Sequence, residues 1–225
     1  MSLAIPAARP VHPADLVLRQ RLQAGLPLQV GILLFTDVEV LDFAGPFEVF
    51  SVASRVARRD GLCAHAAFQV RTIAVDATPV RARHGLPVLP MQTFADAPDL
   101  DLLIVPGGVM DEPLASPAIQ AWTRAAARQA PLVASVCTGA FLLARLGLLE
   151  GRRVTTHWED QADLQRLHPG LEVVAGVPFV DLGGLLTSGG ISAGIEMSLH
   201  LVARLLGPDP ARAVARQMEY RWSPD

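Results

Sequence analysis

One cysteine in this chain stands where a cysteine can do chemistry. In Ala134-Ser135-Val136-Cys137-Thr138-Gly139-Ala140 it lies between a short apolar run and a helix-forming stretch, with small residues on either side. That is the arrangement of a nucleophile elbow, in which a tight turn lifts the side chain above the sheet. The free N–H groups of the following helix favour a thiolate. A buried structural cysteine fits the same spacing equally well. Cys63 has no comparable setting and is expected to be inert.

Two further segments end on groups that could assist. Val105-Pro106-Gly107-Gly108 closes an apolar run with paired glycines, which let a backbone approach a ligand and aim N–H groups at it. Gly108 N–H and Thr138 N–H are the candidate oxyanion donors; an ordinary strand-to-loop turn would look the same. Val40-Leu41-Asp42-Phe43-Ala44-Gly45-Pro46 places an acid in apolar company, just before an expected helix. Asp42 could be a capping residue, or a carboxyl whose raised pKa lets it carry a proton. His157, after Thr155-Thr156 and before Trp158, either lines a pocket or holds its loop, and the structural role is favoured. His200, Glu48 and Glu196 read as structural, and Tyr220 and Trp222 as cover for apolar surface.

The elements that must position these groups alternate in kind. Strands are expected at Gln29–Phe35, Phe68–Val75, Leu102–Val105, Leu132–Val136, Arg153–Thr155, Leu171–Val174 and Phe179–Ser188, the last bent at Gly183-Gly184. A hairpin-like turn at His84-Gly85 separates Val80–Arg83 from Leu86–Leu89. Helices are expected from Pro46, from Pro117 with Ser116 as N-cap to about Gln129, and over Thr138–Leu146, Asp160–Leu167, Gly190–Leu206 and Pro210–Met218. Strands alternating with helices imply a mostly parallel sheet covered on both faces, with ligands beyond the carboxyl ends of the strands. Residues 1–27 read as an N-terminal extension, a proline-rich arm (Pro6, Pro10, Pro13) and a short amphipathic segment whose Leu16, Val17, Leu18 and Leu22 need cover. Residues 28–225 form the main domain.

Composition excludes several classes. All 19 basic residues are arginine, so the lysine amine of Schiff-base or pyridoxal phosphate chemistry is missing. The net charge is −3 with no basic run, which argues against a nucleic-acid partner. The two cysteines lack metal-ligand spacing, and no metal site is expected. With no signal-like segment and no long unbroken apolar stretch, a soluble, cytoplasmic protein without a membrane partner is expected.

The Asp42 segment, Pro106-Gly107-Gly108, Ser135-Val136-Cys137-Thr138-Gly139, Thr155-Thr156-His157-Trp158 and Gly189-Gly190-Ile191-Ser192-Ala193-Gly194 together resemble the PfpI-type (ThiJ/PfpI), class I glutamine amidotransferase-like superfamily. The resemblance runs from about Leu28 to Tyr220. It points to the branch that holds isonitrile hydratase and the ligand domain of AraC-type regulators. It implies a flavodoxin-like three-layer α/β sandwich, with Cys137 as nucleophile, Asp42 as its acidic partner, Thr138 as a further active-site residue, and His157, Gly190 and Ile191 as possible pocket residues. One departure matters: many relatives carry His directly after the cysteine, where this chain has Thr138. The implied activity is that of a cofactor-free lyase adding water to an isonitrile to give an N-substituted formamide. In the expected scheme Cys137 attacks the terminal carbon and a protonated Asp42 supplies a proton to the forming nitrogen anion. The alternatives are a non-enzymatic small-molecule sensor or interaction module of the AraC ligand-domain kind, and cysteine chemistry on another small electrophile such as an amide or 2-oxoaldehyde. The sensor would not bind DNA alone, because the sequence has no room for a helix-turn-helix region after Met218. The resemblance also implies a homodimer.

Overall fold

Five mostly apolar runs of four to seven residues and two shorter strands pair into one seven-stranded sheet in the computed structural model, which describes residues 12–223. In chain order the elements are α1 (Pro13–Gln23), β1 (Leu28–Leu33), α2 (Val40–Arg59), β2 (Phe68–Ala74), β3 (Val80–Arg81), β4 (Pro87–Val88), β5 (Gln92–Thr93), β6 (Leu102–Val105), α3 (Asp111–Ala115), α4 (Pro117–Gln129), β7 (Leu132–Val136), α5 (Gly139–Arg145), β8 (Arg153–Val154), α6 (Gln161–Leu167), β9 (Glu172–Val173), β10 (Phe179–Asp181), β11 (Leu185–Ser188), α7 (Ala193–Leu206) and α8 (Pro208–Gln217). The sheet order is β10-β11-β7-β6-β1-β2-β5. Every pairing in it is parallel except β10 with β11.

The strands of the sheet centre read as unbroken apolar runs because both faces are covered. All four residues of β6 and all five of β7 are buried. Helices α2, α7 and α8 pack together on one side, joined by α1, while α3, α4 and α5 group on the other. Ile32, Leu33, Phe50, Leu103, Ile104 and Leu142 are fully enclosed. Each such side chain contributes roughly 2 kcal/mol by leaving water. No described helix is long and apolar enough to cross a membrane.

Two expectations are corrected. The second helix begins at Val40, not at Pro46, so Asp42 lies in its first turn and Pro46 is interior. The Glu39 carboxylate takes the Val40 N–H at 3.2 Å and starts the helix early. Phe179–Ser188 is not one bent strand: it folds back at Leu182–Gly184 into the antiparallel pair β10–β11, with Gly183 at φ 87°. Strand β5 and helix α3 carry too few residues for periodicity to announce them. Helix α4 does start at Pro117, where Ser116 Oγ accepts the Ile119 N–H at 3.3 Å.

The Pro6 and Pro10 part of the expected arm lies outside the described residues. From Pro13 onward, the extension packs on its own chain. Leu18 is fully buried. Arg204 on α7 holds Asp15 at 2.6 Å and Asp181 at 3.1 Å, and His200 Nε2 lies 2.7 Å from Asp181. Leu16 and Val17 stay half exposed. The expected cover for this segment is met for Leu18, where α1 docks on α7.

Candidate active site

Strands β1, β6, β7 and β11 run in the same direction, so their carboxyl ends share one edge. The segments after them carry Asp42, Gly107, Cys137 and Gly190 to that edge. Cys137 has φ 56°, a left-handed conformation that a non-glycine residue rarely adopts. Neighbouring strands hold it there. The Cys137 N–H is shared between Ser188 O at 3.2 Å and Gly189 O at 3.1 Å. The Thr156 hydroxyl donates to Cys137 O at 2.7 Å. Such fixed strain at a sheet edge is a mark of functional turns.

Close approach explains the glycine beneath it. A Cβ on Gly107 would come within 2.6 Å of Thr138 N and 2.8 Å of Cys137 Cβ. Only glycine lets the β6 loop pass under the elbow. Its N–H donates to Asp42 Oδ2 at 3.1 Å, and the Ile191 N–H donates to Asp42 Oδ1 at 3.0 Å.

Asp42 is fully buried, with its carboxyl next to the Cys137 thiol. Desolvation raises its pKa from 3.8 to about 6, although the two backbone N–H bonds favour the charged form. Glu39's charge adds to the rise. The direction is the expected one, but the extent differs: at neutral pH the carboxyl is mostly ionised, because Ile191 and Gly107 offset part of the burial. The Cys137 thiol is pushed well above its ordinary range by burial first and by Asp42's charge second, and the Thr138 N–H only partly opposes this. The helix effect expected to favour the thiolate is thus outweighed. The resting pair is a thiol beside a carboxylate, with one proton between them.

Thr138 and Gly108 lock one another. Gly108 N–H donates to Thr138 Oγ1 and Thr138 Oγ1 donates to Gly108 O, both at 2.9 Å. The Gly108 N–H expected as an oxyanion donor is therefore already engaged, whereas the Thr138 N–H faces the Cys137 sulfur. His157 faces the same thiol across Gly190: a Cβ on Gly190 would collide with the His157 ring and lie 3.2 Å from Cys137 Sγ. His157 Nδ1 is 3.3 Å from Asp160 Oδ2.

Asp42, Cys137, Thr138, Gly190, Ile191 and His157 thus come together around one sulfur. Three contributors were not legible as such: Gly107 as Asp42's donor, Thr156 as the clamp on the elbow carbonyl, and Asp160 as His157's partner. Only the last left a signal, an acid three residues past a histidine at a helix start.

Residues 28–204 match the DJ-1/PfpI family. The chain is 38% identical over 204 residues to an isonitrile hydratase of Pseudomonas putida, covering 88% of this chain and 81% of that protein. It is 29% identical over 194 residues to the HTH-type transcriptional regulator GbdR of Pseudomonas aeruginosa, covering 86% of this chain and 51% of the regulator, so it spans about half of that relative. A crystal structure of a ThiJ/PfpI family protein from Pseudomonas syringae superposes with a TM-score of 0.74 at 25% identity, covering 99% of this chain and 86% of that one. With its mostly parallel sheet, its helices on both faces and a family match over most of its length, the chain belongs to the DJ-1/PfpI family.

Proposed function

We propose that the protein is a cysteine-dependent hydratase that converts an isonitrile to an N-substituted formamide. The observation that carries this reading is the buried Asp42, held by the Gly107 and Ile191 N–H groups beside the strained Cys137 turn. The likeness to the Pseudomonas putida isonitrile hydratase supports it.

The chemistry suits a site of this kind. Acyl transfer needs free N–H donors for an oxyanion. Around Cys137 the Gly107, Gly108 and Ile191 N–H groups are already engaged. Isonitrile hydration instead needs a proton delivered as the carbon–sulfur bond forms. Asp42 takes the thiol proton while Sγ bonds the terminal carbon. It then returns that proton to the same carbon, giving the thioimidate R–N=CH–S–Cys137. The expected scheme put this proton on nitrogen; the electron pair left by attack resides on carbon, so carbon receives it first. Water next adds across C=N, its hydroxyl going to carbon and its proton to nitrogen. Cleavage of C–S releases R–NH–CHO, and the hydroxyl proton passes through Asp42 back to the thiol. His157, oriented by Asp160, is placed to assist the water. Thr138 positions the Gly108 loop and does not itself react.

A second reading, a small-molecule sensor, is favoured by the likeness to GbdR. In that case the elbow would bind an electrophile without turning it over. Assay of methyl, butyl and benzyl isonitriles, with formamide followed by chromatography, separates the two. Formamide from the parent protein and none from Cys137→Ala supports the hydratase; no product from any isonitrile supports the sensor.

A further inference from the structure

Ile191 combines three properties that fit poorly together in a residue of merely structural use. Its φ is 56°, where a β-branched side chain is among the least tolerated. Its N–H makes the 3.0 Å bond to Asp42 Oδ1, a bond that glycine would make without strain. Its side chain is 42% exposed, so it does not earn its place by filling the core. A strained backbone that holds an aliphatic group in water beside a buried acid retains that group for something the side chain meets from outside.

The surroundings say what that is. Ile191 directly follows Gly190, the residue lying over Cys137 Sγ. Leu41, one residue before Asp42, is 37% exposed, and Trp158, one residue after His157, is 73% exposed. Leu41 also lies close to Ile195, in the first turn of α7: a Cβ on Gly45 would touch both, at 2.9 Å from Ile195 Cγ1 and 3.8 Å from Leu41 Cγ. Three large, solvent-exposed apolar residues are thus each adjacent in sequence to a member of the site.

We propose that Ile191 is a specificity residue. With Leu41 and Trp158 it forms an apolar wall that takes the hydrocarbon substituent of the substrate, so that isonitriles on a bulky alkyl or aryl group are preferred over small or polar ones. The substrate class rests on the hydratase reading; the wall does not. Two measurements keep them apart, both in a Cys63→Ser background so that Cys137 is the reporting thiol. The first is the rate of Cys137 alkylation by N-methylmaleimide and by N-benzylmaleimide. The benzyl reagent should react about tenfold faster with the parent, the scale on which an apolar pocket discriminates. The ratio should fall to near one in Ile191→Gly. The second is steady-state hydration, where Ile191→Gly should raise KM for benzyl isonitrile about tenfold relative to KM for methyl isonitrile measured on the same variant. Thermal unfolding should show the variant at least as stable, since glycine relieves the strain. Unchanged benzyl-to-methyl ratios in Ile191→Gly overturn the proposal. So does an unchanged ratio accompanied by conversion of a dimer to single chains, which would assign the apolar mouth to a second copy. A parent that hydrates no isonitrile but keeps the benzyl preference retains the wall and removes the hydratase reading.

Discussion

The protein's two cysteines sit at opposite edges of one sheet. Cys137 follows β7 at the carboxyl edge, whereas Cys63 lies in the loop that leads into β2, at the edge where β1 and β2 begin. Both are free thiols, and burial pushes both upward in pKa. Burial therefore does not distinguish a working thiol from an idle one. What Cys137 has and Cys63 lacks is a second titrating group in contact and a backbone held in a strained turn. Cys63's thiol is raised by burial alone. Cys137's is raised further by a carboxylate that can accept its proton when a substrate arrives. An activated nucleophile need not be a resting thiolate; an adjacent base suffices.

The largest expected effect separates the two residues outright. Cys137→Ala should remove hydration altogether, a loss of at least about 10³-fold for a covalent nucleophile. Formamide production by that variant at the parent's rate would end the assignment. Asp42→Asn should follow, lowering kcat by roughly 10²–10⁴-fold, the range for a lost general acid–base. The same substitution should speed alkylation of Cys137 at neutral pH, because it removes the charge that raises the thiol, and should leave the Cys63 rate unchanged. Loss of turnover with gain of thiol reactivity is a pair of opposite signs that a merely damaged fold would not give. In the parent, kcat/KM should rise as pH passes upward through about 6, where Asp42 becomes the base that accepts the thiol proton.

Asp42 also makes a smaller, thermodynamic prediction. Its folded pKa, about 6, lies above its ordinary value of 3.8. Below about pH 3 the carboxyl is largely protonated in both folded and unfolded chains, and its burial carries no charge penalty. As pH rises towards and past 6, the unfolded chain ionises first, and the folded state bears the cost of a buried carboxylate. That cost is roughly 3 kcal/mol once both are ionised. Denaturant titrations at pH 3 and pH 7 should show the parent losing about this much relative to Asp42→Asn over that window. Equal pH slopes would mean that Asp42 is not desolvated as described.

Sequence made the elbow legible as one of two readings, because a strand, a cysteine and a helix leave a contiguous pattern in Ser135 to Gly139 that a buried structural cysteine would share. The parallel architecture was legible for the same reason, from the apolar runs of β1, β6 and β7. The site's hydrogen bonding was not, because it joins residues far apart in the chain. Nothing local to Gly107 or Ile191 says that their N–H groups meet on Asp42, or that Thr156 clamps Cys137. The balance of charge at Cys137 was misjudged on the same account: the helix effect is local and visible, whereas burial and the Asp42 charge come from other segments. The start of α2 was displaced by six residues because Pro46 is a strong helix-start signal, and Glu39, which starts the helix, carries no such mark.

The smallest effect tests the idle member of the pair. Cys63 is partly buried among Leu22, Leu62 and the turn between α7 and α8, in clefts on the far side of the sheet from Cys137. Its N–H donates to Ala57 O at 3.3 Å, an arrangement that any residue but proline reproduces. Replacing its sulfur with a hydroxyl places a slightly more polar group where water already reaches, so Cys63→Ser should change stability by no more than about 0.5 kcal/mol. Hydration should stay within about twofold, and the number of alkylatable thiols should fall by one, leaving a single rate that belongs to Cys137. A severalfold fall in hydration with intact folding would mean that the two edges of the sheet communicate, and that the contrast between a working and an idle cysteine has been drawn in the wrong place.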